Sequence, residues 1–398
     1  MTTQLKALIV GGGMAGPVTA MALRQAGIDS TVYEAYDRGA DGVGAFLTLA
    51  VNGLSALHTL GLADLVRGKG FDTPSMVASM GDGRRLAEFS FGGALPDGTV
   101  NQTITRADLY GVLRDEAVRR GVPIEYGRRL VAAESTSDGV LARFADGSTA
   151  RGDLLVGADG LHSVTRGIID PNAPAPRYVP LLNAGGYAKG VELAAEPGVM
   201  YMFFGRRCFF SYVVRPDGEV WWFANPPQPT ELSARELAAI TPEQWRAKLS
   251  DLFAEDGFPA QRVIDATGEI FSGWNTYDFP KVPTWHRDRM IIIGDAAHAT
   301  SPASGQGASM ALEDAVTLAK CLRDLPDVPA AFAGYERLRR ARVERVVARG
   351  KRNGDGKALG PVGRRLLPLI FKVVARAAGR QEWLYDHRID WTEPVSVG

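Results

Sequence analysis

The chain has 398 residues, 45% of them hydrophobic, which is enough to build the cores of two or more packed domains. Lysine plus arginine number 45 and so do aspartate plus glutamate, so no overall field favours nucleic acid or a membrane surface. The two cysteines and five scattered histidines predict neither a disulfide framework nor a metal site. With no signal peptide or apolar run of about 20 residues in view, we expect a cytoplasmic protein without a membrane span.

The first predicted element is a buried parallel strand, Lys6–Val10, followed by a glycine-rich turn and a helix over Pro17–Ala26. Glycines 11, 13 and 16 have the G-x-G-x-x-G spacing. Gly11 permits a tight turn, Gly13 lets the backbone approach a pyrophosphate, and Gly16 lets the helix pack close to the strand. The helix N-terminus would add unpaired N–H groups for the phosphates. The alternative is a glycine-rich turn in another kind of α/β protein.

An acidic residue follows the second predicted strand, Ser30–Tyr33, at position 34. The Glu34 carboxylate can accept hydrogen bonds from ribose hydroxyls and would repel a 2′-phosphate. Strand, glycine turn, helix and acid together predict that this part of the chain binds a dinucleotide.

The predicted parallel sheet is interrupted and then resumed twice. Asn52 is a candidate N-cap for a helix, residues 76–91 are typical of a hairpin, and Arg106 lies at the start of a helix. A second buried strand at 153–156 leads into Gly157-Ala158-Asp159-Gly160. A third, at 289–293, leads through Gly294-Asp295 and a Gly- and Ser-rich turn into a helix over 308–322.

Residues 175–275 have a different character. Alternating and aromatic stretches at 199–204, 208–214 and 220–224 are typical of antiparallel sheet rather than of βαβ units. A helix is predicted after them, from Glu243 to Phe253.

Three motifs in this order resemble the FAD-dependent aromatic hydroxylases of the para-hydroxybenzoate hydroxylase type, which are single-component flavoprotein monooxygenases. They are the glycine turn with Glu34, the stretch 157–160, and Gly294-Asp295-Ala296-Ala297-His298. The likeness continues through Pro302, residues 305–307 and residues 313–315, and so extends from residue 6 to about 320. We expect the compact subgroup, which lacks a C-terminal thioredoxin-like domain.

The resemblance implies an α/β fold in which a Rossmann-like FAD-binding domain is interleaved with an antiparallel-sheet substrate domain, plus C-terminal helices. The expected FAD-binding domain comprises residues 1–75, 100–174 and 280–325, and the expected substrate domain residues 76–99 and 175–279. Residues 326–398 are expected to form the C-terminal helical segment. Eight basic residues between Arg337 and Arg352 are expected to form a solvated helix face rather than a membrane-surface helix.

The resemblance also implies which residues contact FAD. Asp295 would meet the ribityl hydroxyls, while Gly305 and Gly307 would bring backbone N–H groups to the pyrimidine edge, where the helix N-terminus also stabilises negative charge. The full expected set is Gly11, Gly13, Ala15, Gly16, Glu34, Ala35, Gly44, Ala45, Arg106, Asp159, Gly160, Gly294, Asp295, Pro302, Gly305, Gln306, Gly307 and Ala308.

Four of the proposed roles have structural alternatives. Asp295 could cap a helix, Asp159 could belong to a turn, and Arg106 could be a solvated arginine. His298 could equally be a buried structural histidine.

The implied reaction relies on the cofactor. NADH or NADPH reduces the flavin, O₂ adds to give a C4a-hydroperoxide, and the distal oxygen passes to an aromatic or polycyclic small molecule. Pro302, Gly305 and Gly307 are assigned catalytic positions beside the reactive flavin edge, with Tyr212 facing them. No second G-x-G-x-x-G unit exists for the reductant, which would dock transiently. The chain is expected to be a monomer or a homodimer.

The Gly- and Ser-rich turn, residues 301–307, is called here the flavin loop. The substrate is expected between this loop and the 175–275 sheet. Candidate contacts are Phe203, Phe210, Tyr212, Trp222 and Asn225, with Tyr212 and Trp222 lining the pocket. Because side chains alternate along a strand, plain sheet core is the open alternative for the aromatic residues. No catalytic base can be identified.

Three other functions compete with hydroxylation. A flavin-dependent halogenase needs a W-x-W-x-I-P stretch, which Gly273-Trp274-Asn275-Thr276 does not supply. A flavin reductase or dehydrogenase acting on a prenyl chain and a non-catalytic flavin-binding module also remain open.

Overall fold

The computed structural model describes residues 5–37, 45–355, 357, 366–369, 371 and 382–396. The strands are β1 (Lys6–Val10), β2 (Asp29–Tyr33), β3 (Phe46–Leu49), β4 (Phe71–Asp72), β5 (Ser75–Met80), β6 (Arg85–Ser90), β7 (Gln102–Thr105), β8 (Ile124–Glu125), β9 (Leu130–Thr136), β10 (Gly139–Phe144), β11 (Thr149–Gly152), β12 (Leu154–Gly157), β13 (Arg177–Ala188), β14 (Val199–Phe204), β15 (Phe209–Val214), β16 (Val220–Asn225), β17 (Thr267–Asp278), β18 (His286–Arg287) and β19 (Met290–Ile292).

The helices are α1 (Ala15–Gln25), α2 (Val51–Thr59), α3 (Ala63–Arg67), α4 (Arg106–Arg119), α5 (Val164–Ile169), α6 (Ala234–Ala239), α7 (Pro242–Phe253), α8 (Ala260–Asp265), α9 (Asp295–His298), α10 (Gly307–Asp324), α11 (Val328–Asp355) and α12 (Glu382–Tyr385), with a 3₁₀ turn at Pro302–Ser304. No described helix combines the length and the hydropathy needed to cross a bilayer.

The first sheet has six strands in the order β18-β19-β12-β1-β2-β8. Strands β1, β2, β12 and β19 run parallel, and their apolar residues are buried on both faces, as expected for a parallel sheet covered by helices. Val10 pairs with Gly157, and Gly157 pairs with Ile292. The three sequence motifs therefore follow neighbouring strands at one edge of this sheet, which is where open α/β sheets bind ligands.

A seven-stranded sheet has the order β17-β13-β16-β15-β14-β5-β6. All its pairs are antiparallel except β14 with β5. It thus joins the hairpin β5–β6 to strands from residues 177–278, as the interleaved fold class implies. The domain boundaries given above stay a prediction.

The two faces of the seven-stranded sheet have different neighbours. Helices α7 and α8 pack on one face through buried side chains that include Trp245 and Phe253. On the other face, Phe46 of β3 and Phe71 of β4 pack against Trp221 with ring centroids 5.4 Å apart. This second face, called here the inner face, is therefore the one turned towards the strands that precede α4.

The long helix α11 packs along α10, and its basic residues are not all solvated. Arg339 is fully buried, and Arg342 also donates to a buried carboxylate, that of Glu313. The expectation of a solvated basic face is therefore wrong for these two residues. Arg337 and Arg352 are exposed, as that expectation requires.

Candidate active site

The glycine turn after β1 is tightly packed except at one position. At Gly11, where φ is +108°, a Cβ atom would stand 2.3 Å from the carbonyl oxygen of Ala158, and at Gly16 one would stand 1.9 Å from the Gly11 oxygen. Both positions therefore require glycine. At Gly13 nothing lies within 4 Å of that point, so the backbone there is open to a ligand. The following helix begins at Ala15, two residues earlier than predicted.

Glu34 closes the same turn. Its carboxylate accepts the N–H of Gly12 at 2.6 Å and the N–H of Tyr36 at 3.0 Å. A carboxylate has about four acceptor positions, so these bonds leave room for ribose hydroxyls. Ala35 is partly exposed beside it, Ala45 is buried, and Gly44 lies outside the described residues.

Asp159 has a structural role at the start of α5. One carboxylate oxygen accepts the Ser163 hydroxyl at 2.5 Å, and the other accepts both the N–H and the hydroxyl of Thr165 at 2.9 Å. These bonds satisfy donors at the helix N-terminus, which supports the turn alternative for Asp159. At the next residue, Gly160, nothing lies within 4 Å of a Cβ position, so this backbone too faces open space.

Asp295 follows Gly294 and stands at the start of α9. Its side chain is exposed, whereas Gly294 before it and Ala296 after it are buried. Among the described residues, none donates a hydrogen bond to its carboxylate. The protein that surrounds this exposed carboxyl still displaces much of its water of solvation and so raises its pKa, against smaller opposing effects from His298 and Arg106. An exposed acceptor without a partner from the described chain is suited to ligand hydroxyls.

The loop from Thr300 to Gly307 brings the N-terminus of α10 to this carboxylate. A Cβ atom on Gly307 would lie 4.0 Å from Oδ1 of Asp295. Gly305, with φ +62°, ends the 3₁₀ turn that begins at Pro302, and nothing lies within 4 Å of its Cβ position. Both Thr300 Oγ1 and Gln306 Nε2 are buried without a hydrogen-bond partner among the described residues. Those two donors lie towards α11 and Asn52, whereas the open glycine and the carboxylate of Asp295 together fit the far end of FAD.

Behind this loop lies a buried polar network that the sequence analysis missed. Asn52 donates from Nδ2 to Oε1 of Gln306 at 2.9 Å and to Oε1 of Glu313 at 2.7 Å. Arg339 donates to Glu313 at 2.5 Å and to Asp314 at 2.7 Å. Asn52 is thus inside α2, not its N-cap, and links the helix to the flavin loop. A signal for Arg339 was available, because it lies on the apolar stripe of α11 between Tyr335 and Val343.

Asp314 ties the same network to the third motif. Its Oδ2 accepts the N–H of Gly294 at 2.9 Å and shares a 2.5 Å hydrogen bond with Nε2 of His298. His298 is 4% exposed, so the structural alternative for this histidine fits its position.

Two arginines set the ionisation of these acids. Burial alone would raise the pKa of Glu313, but Arg339 and Arg342 outweigh burial and hold that pKa at about 2. Burial also opposes ionisation of Asp314, and His298 and Arg339 together lower its pKa well below the usual range. Both carboxylates are therefore charged at neutral pH and hold the Gly294 turn and the Asn52–Gln306 contact in place.

Four of the five predicted substrate residues lie on the face of the sheet that α7 and α8 cover. They are Phe203, Phe210, Tyr212 and Trp222. The Tyr212 ring stacks between Tyr201 and Phe203, and Trp222 donates from Nε1 to Oγ1 of Thr267 at 2.8 Å. The structure corrects their assignment to the pocket: the alternation along β15 and β16 turns these side chains away from the inner face.

Asn225 is the predicted substrate residue that reaches the inner face. It shares that face with Trp221 and Phe223 of the same strand, and it donates from Nδ2 to Oδ1 of Asn183 at 2.9 Å. Phe223 lies between Phe46 and Phe209, with ring centroids 6.1 Å and 6.0 Å away. The aromatic surface that faces β3 is thus formed by Trp221 and Phe223. In β16 the residue expected on this surface was Trp222, which lies between them on the opposite face.

This face assignment makes a testable prediction for hydroxylation. Tyr212→Phe removes a hydroxyl on the helix-covered face, so we expect kcat/KM to stay within about twofold of wild type, as for a substitution that leaves the site untouched. Phe223→Ala should lower kcat/KM by roughly tenfold or more if the substrate lies against the inner face, because it removes an aromatic ring from that face. A loss in Tyr212→Phe as large as that in Phe223→Ala would contradict the assignment.

Comparison with known proteins agrees with this arrangement. The family model described as "FAD binding domain" matches residues 4–350. An FAD-dependent urate hydroxylase of Klebsiella pneumoniae is 32% identical over 355 residues, covering 88% of this chain and 90% of that protein. A 3-amino-4-hydroxybenzoate 2-monooxygenase of Streptomyces cremeus is 32% identical over 361 residues, covering 87% and 86%. The crystal structure of Klebsiella pneumoniae HpxO complexed with FAD and uric acid has a TM-score of 0.83 and 28% identity over 96% of both chains.

The chain belongs to the FAD-dependent aromatic hydroxylases. The resemblance inferred from the three motifs is confirmed, and so is the α/β fold class. This aromatic hydroxylase is an FAD-dependent monooxygenase, a type of enzyme for which NADH or NADPH is the typical reductant.

Proposed function

We propose that this monooxygenase hydroxylates a small aromatic acid held between the flavin loop and the inner face of the seven-stranded sheet. The observation that carries the proposal is the meeting of Asp295 with the N-terminus of α10, next to the open backbone at Gly305. The relatives named above act on urate and on an aminohydroxybenzoate, which supports an aromatic acid as the substrate class.

The residues proposed to hold FAD fall into two groups. At the nucleotide end, Gly13 offers open backbone and Glu34 offers acceptor positions for ribose hydroxyls. At the far end, Asp295 accepts from hydroxyls, and Gly307 offers its backbone N–H where negative charge develops. The N–H of Gly305 donates to the carbonyl oxygen of Pro302 at 3.0 Å, so Gly305 contributes open backbone surface rather than a donor. When bound, FAD supplies the oxygen-transfer chemistry.

The protein's own contribution is binding, orientation and exclusion of water. Phe223 and Trp221 would hold the aromatic ring by stacking and keep water from the reacting edge. The charge of Arg106 acts to lower the pKa of Asp295, so Arg106 would also add positive potential near the cofactor. The proposed location is the cytoplasm, where NADH and NADPH are supplied.

The test is turnover under O₂ by the purified, FAD-loaded protein. We expect NADH or NADPH oxidation to accelerate with benzoates, salicylates or purine acids, and mass spectrometry to detect one added oxygen atom. With ¹⁸O₂ that atom should carry the label, the second oxygen atom leaving as water. A chlorinated product would indicate a halogenase, and a lost double bond without oxygen a prenyl reductase. Failure of NADH or NADPH to reduce the flavin at all would indicate a non-catalytic flavin-binding module.

A further inference from the structure

A lysine reaches the inner face from the C-terminal end of α11. Near this end, Asn353 donates to the carbonyl oxygen of Ala303 at 3.1 Å, and a Cβ on Gly354 would lie 3.5 Å from Ser301 Oγ. The helix end therefore lies against the flavin loop. Lys357 follows Gly354 by three residues, so its Cα lies within about 11 Å of that contact.

The Lys357 ammonium group lies on the aromatic surface of the sheet. Its Nζ donates to Oδ1 of Asn225 at 2.7 Å, and it stands 4.1 Å from the ring centroid of Phe209 and 5.3 Å from that of Phe223. Lys357 thus follows the helix end that contacts the flavin loop, and its ammonium group lies on the face proposed to hold the substrate.

This charge has no counter-ion in the described part of the chain. No described carboxylate lies within 4.0 Å of Nζ, and the single hydrogen bond to Asn225 uses one of its three donors. Two aromatic faces stabilise a cation only partly, and a desolvated charge without a partner is costly. An anionic group arriving with a ligand would relieve this cost and satisfy the remaining donors.

We propose that Lys357 binds the oxyanion of the aromatic substrate, a carboxylate or an ionised ring hydroxyl, and so selects anionic rings over neutral ones. The proposal rests on the proposed function, since it concerns the substrate of that site. Asn225 positions the ammonium group, because its Oδ1 accepts from Nζ while its own amide is held by Asn183.

The titration of Lys357 gives this site a pH dependence. Desolvation lowers the pKa of Lys357 to about 7, against a smaller effect of Cys208. The described titratable group that acts on Lys357 is the thiol of Cys208. Burial raises the pKa of that thiol, so the thiol stays neutral over the pH range of the experiment. A bound anion favours the ammonium form and raises its pKa. Affinity for an anion should therefore be full below pH 7 and fall as the pH rises above it.

The experiment measures binding by calorimetry to the FAD-loaded protein with two pairs of probes. One pair is 4-hydroxybenzoate and 4-hydroxybenzamide, for a carboxylate; the other is pentafluorophenol and pentafluoroanisole, for a ring oxyanion. We expect wild type to prefer one of the anions over its neutral partner by roughly tenfold to a hundredfold, the value of a charged hydrogen bond in a partly buried site. The pair that shows the preference identifies the kind of oxyanion.

Two variants test the residue itself, and a third is the control. Lys357→Met should abolish the preference, and Lys357→Arg should keep it but remove its decline between pH 7 and 9. The matched control is Lys248→Met, because Lys248 is a half-buried lysine of α7 on the opposite face of the sheet, near Trp245. This control should keep both the preference and the pH dependence.

The outcomes separate this proposal from the proposed function. If wild type binds neither anion better than its neutral partner, or if Lys357→Met keeps the preference, Lys357 is not the oxyanion site, even when oxygen transfer to some substrate is observed. Reduction of the bound flavin by NADPH should be retained in the Lys248→Met control and in wild type. Its absence in wild type would overturn the proposed function instead.

Discussion

Asp295→Ala should bind FAD roughly tenfold to a hundredfold more weakly than wild type, the loss expected when a hydrogen bond from a ligand hydroxyl to a charged acceptor is removed. The carboxylate stands exposed beside the start of α10, with no donor from the described chain. A ligand hydroxyl is therefore the partner it lacks. The measurement is a titration of the apoprotein with FAD, followed by the quenching of flavin fluorescence.

The control for this prediction is Asp295→Asn, which keeps an acceptor oxygen but not the charge. Its FAD affinity should lie between those of wild type and Asp295→Ala. The melting temperature of both apoproteins should match that of wild type or exceed it, because burial raises the pKa of this carboxyl and its charge does not stabilise the fold. Unchanged FAD affinity in Asp295→Ala would show that Asp295 does not contact the cofactor.

Arg339→Met should lower the free energy of unfolding by about 3–5 kcal/mol, the usual cost of removing one partner from a buried ion pair. Arg339 is fully buried and bridges Glu313 and Asp314 at 2.5 Å and 2.7 Å. Its loss leaves two adjacent buried carboxylates, with Arg342 beside Glu313 and the His298 ring beside Asp314. Urea unfolding of the apoprotein measures the change.

The same variant should shift the acid sensitivity of the protein. In wild type the pKa of Glu313 is about 2 in the folded state and about 4 when unfolded, so its stabilising effect is present above pH 4 and is lost as the pH falls towards 2. Without Arg339 the folded pKa values of Glu313 and Asp314 rise, and this source of stability disappears. The matched control is Arg337→Met, since Arg337 is exposed on the same helix. Equal loss of stability in the two variants would refute the bridging role.

The sequence alone was sufficient for the cofactor-side framework. The strand Lys6–Val10 and its glycine turn could be predicted because apolar runs and glycine spacing act locally, through backbone sterics and burial. Gly16 is an example: the spacing predicts a close approach, and the structure has the Gly11 oxygen where a Cβ would stand. The order of the motifs then indicated the family without any knowledge of packing.

The tertiary structure decided which aromatic residues meet the substrate side and which charges are buried. A strand pattern reveals two faces but not which one a helix will cover, so Trp222 and Phe223 could be separated only once α7 had been placed against the sheet. Arg339 and Lys357 were missed for the same reason. Their roles depend on partners far away in the chain, which are Glu313 for Arg339 and Asn225 for Lys357. Local chemistry fixes turns and elements, whereas the environment of a charge exists only after distant segments have packed together.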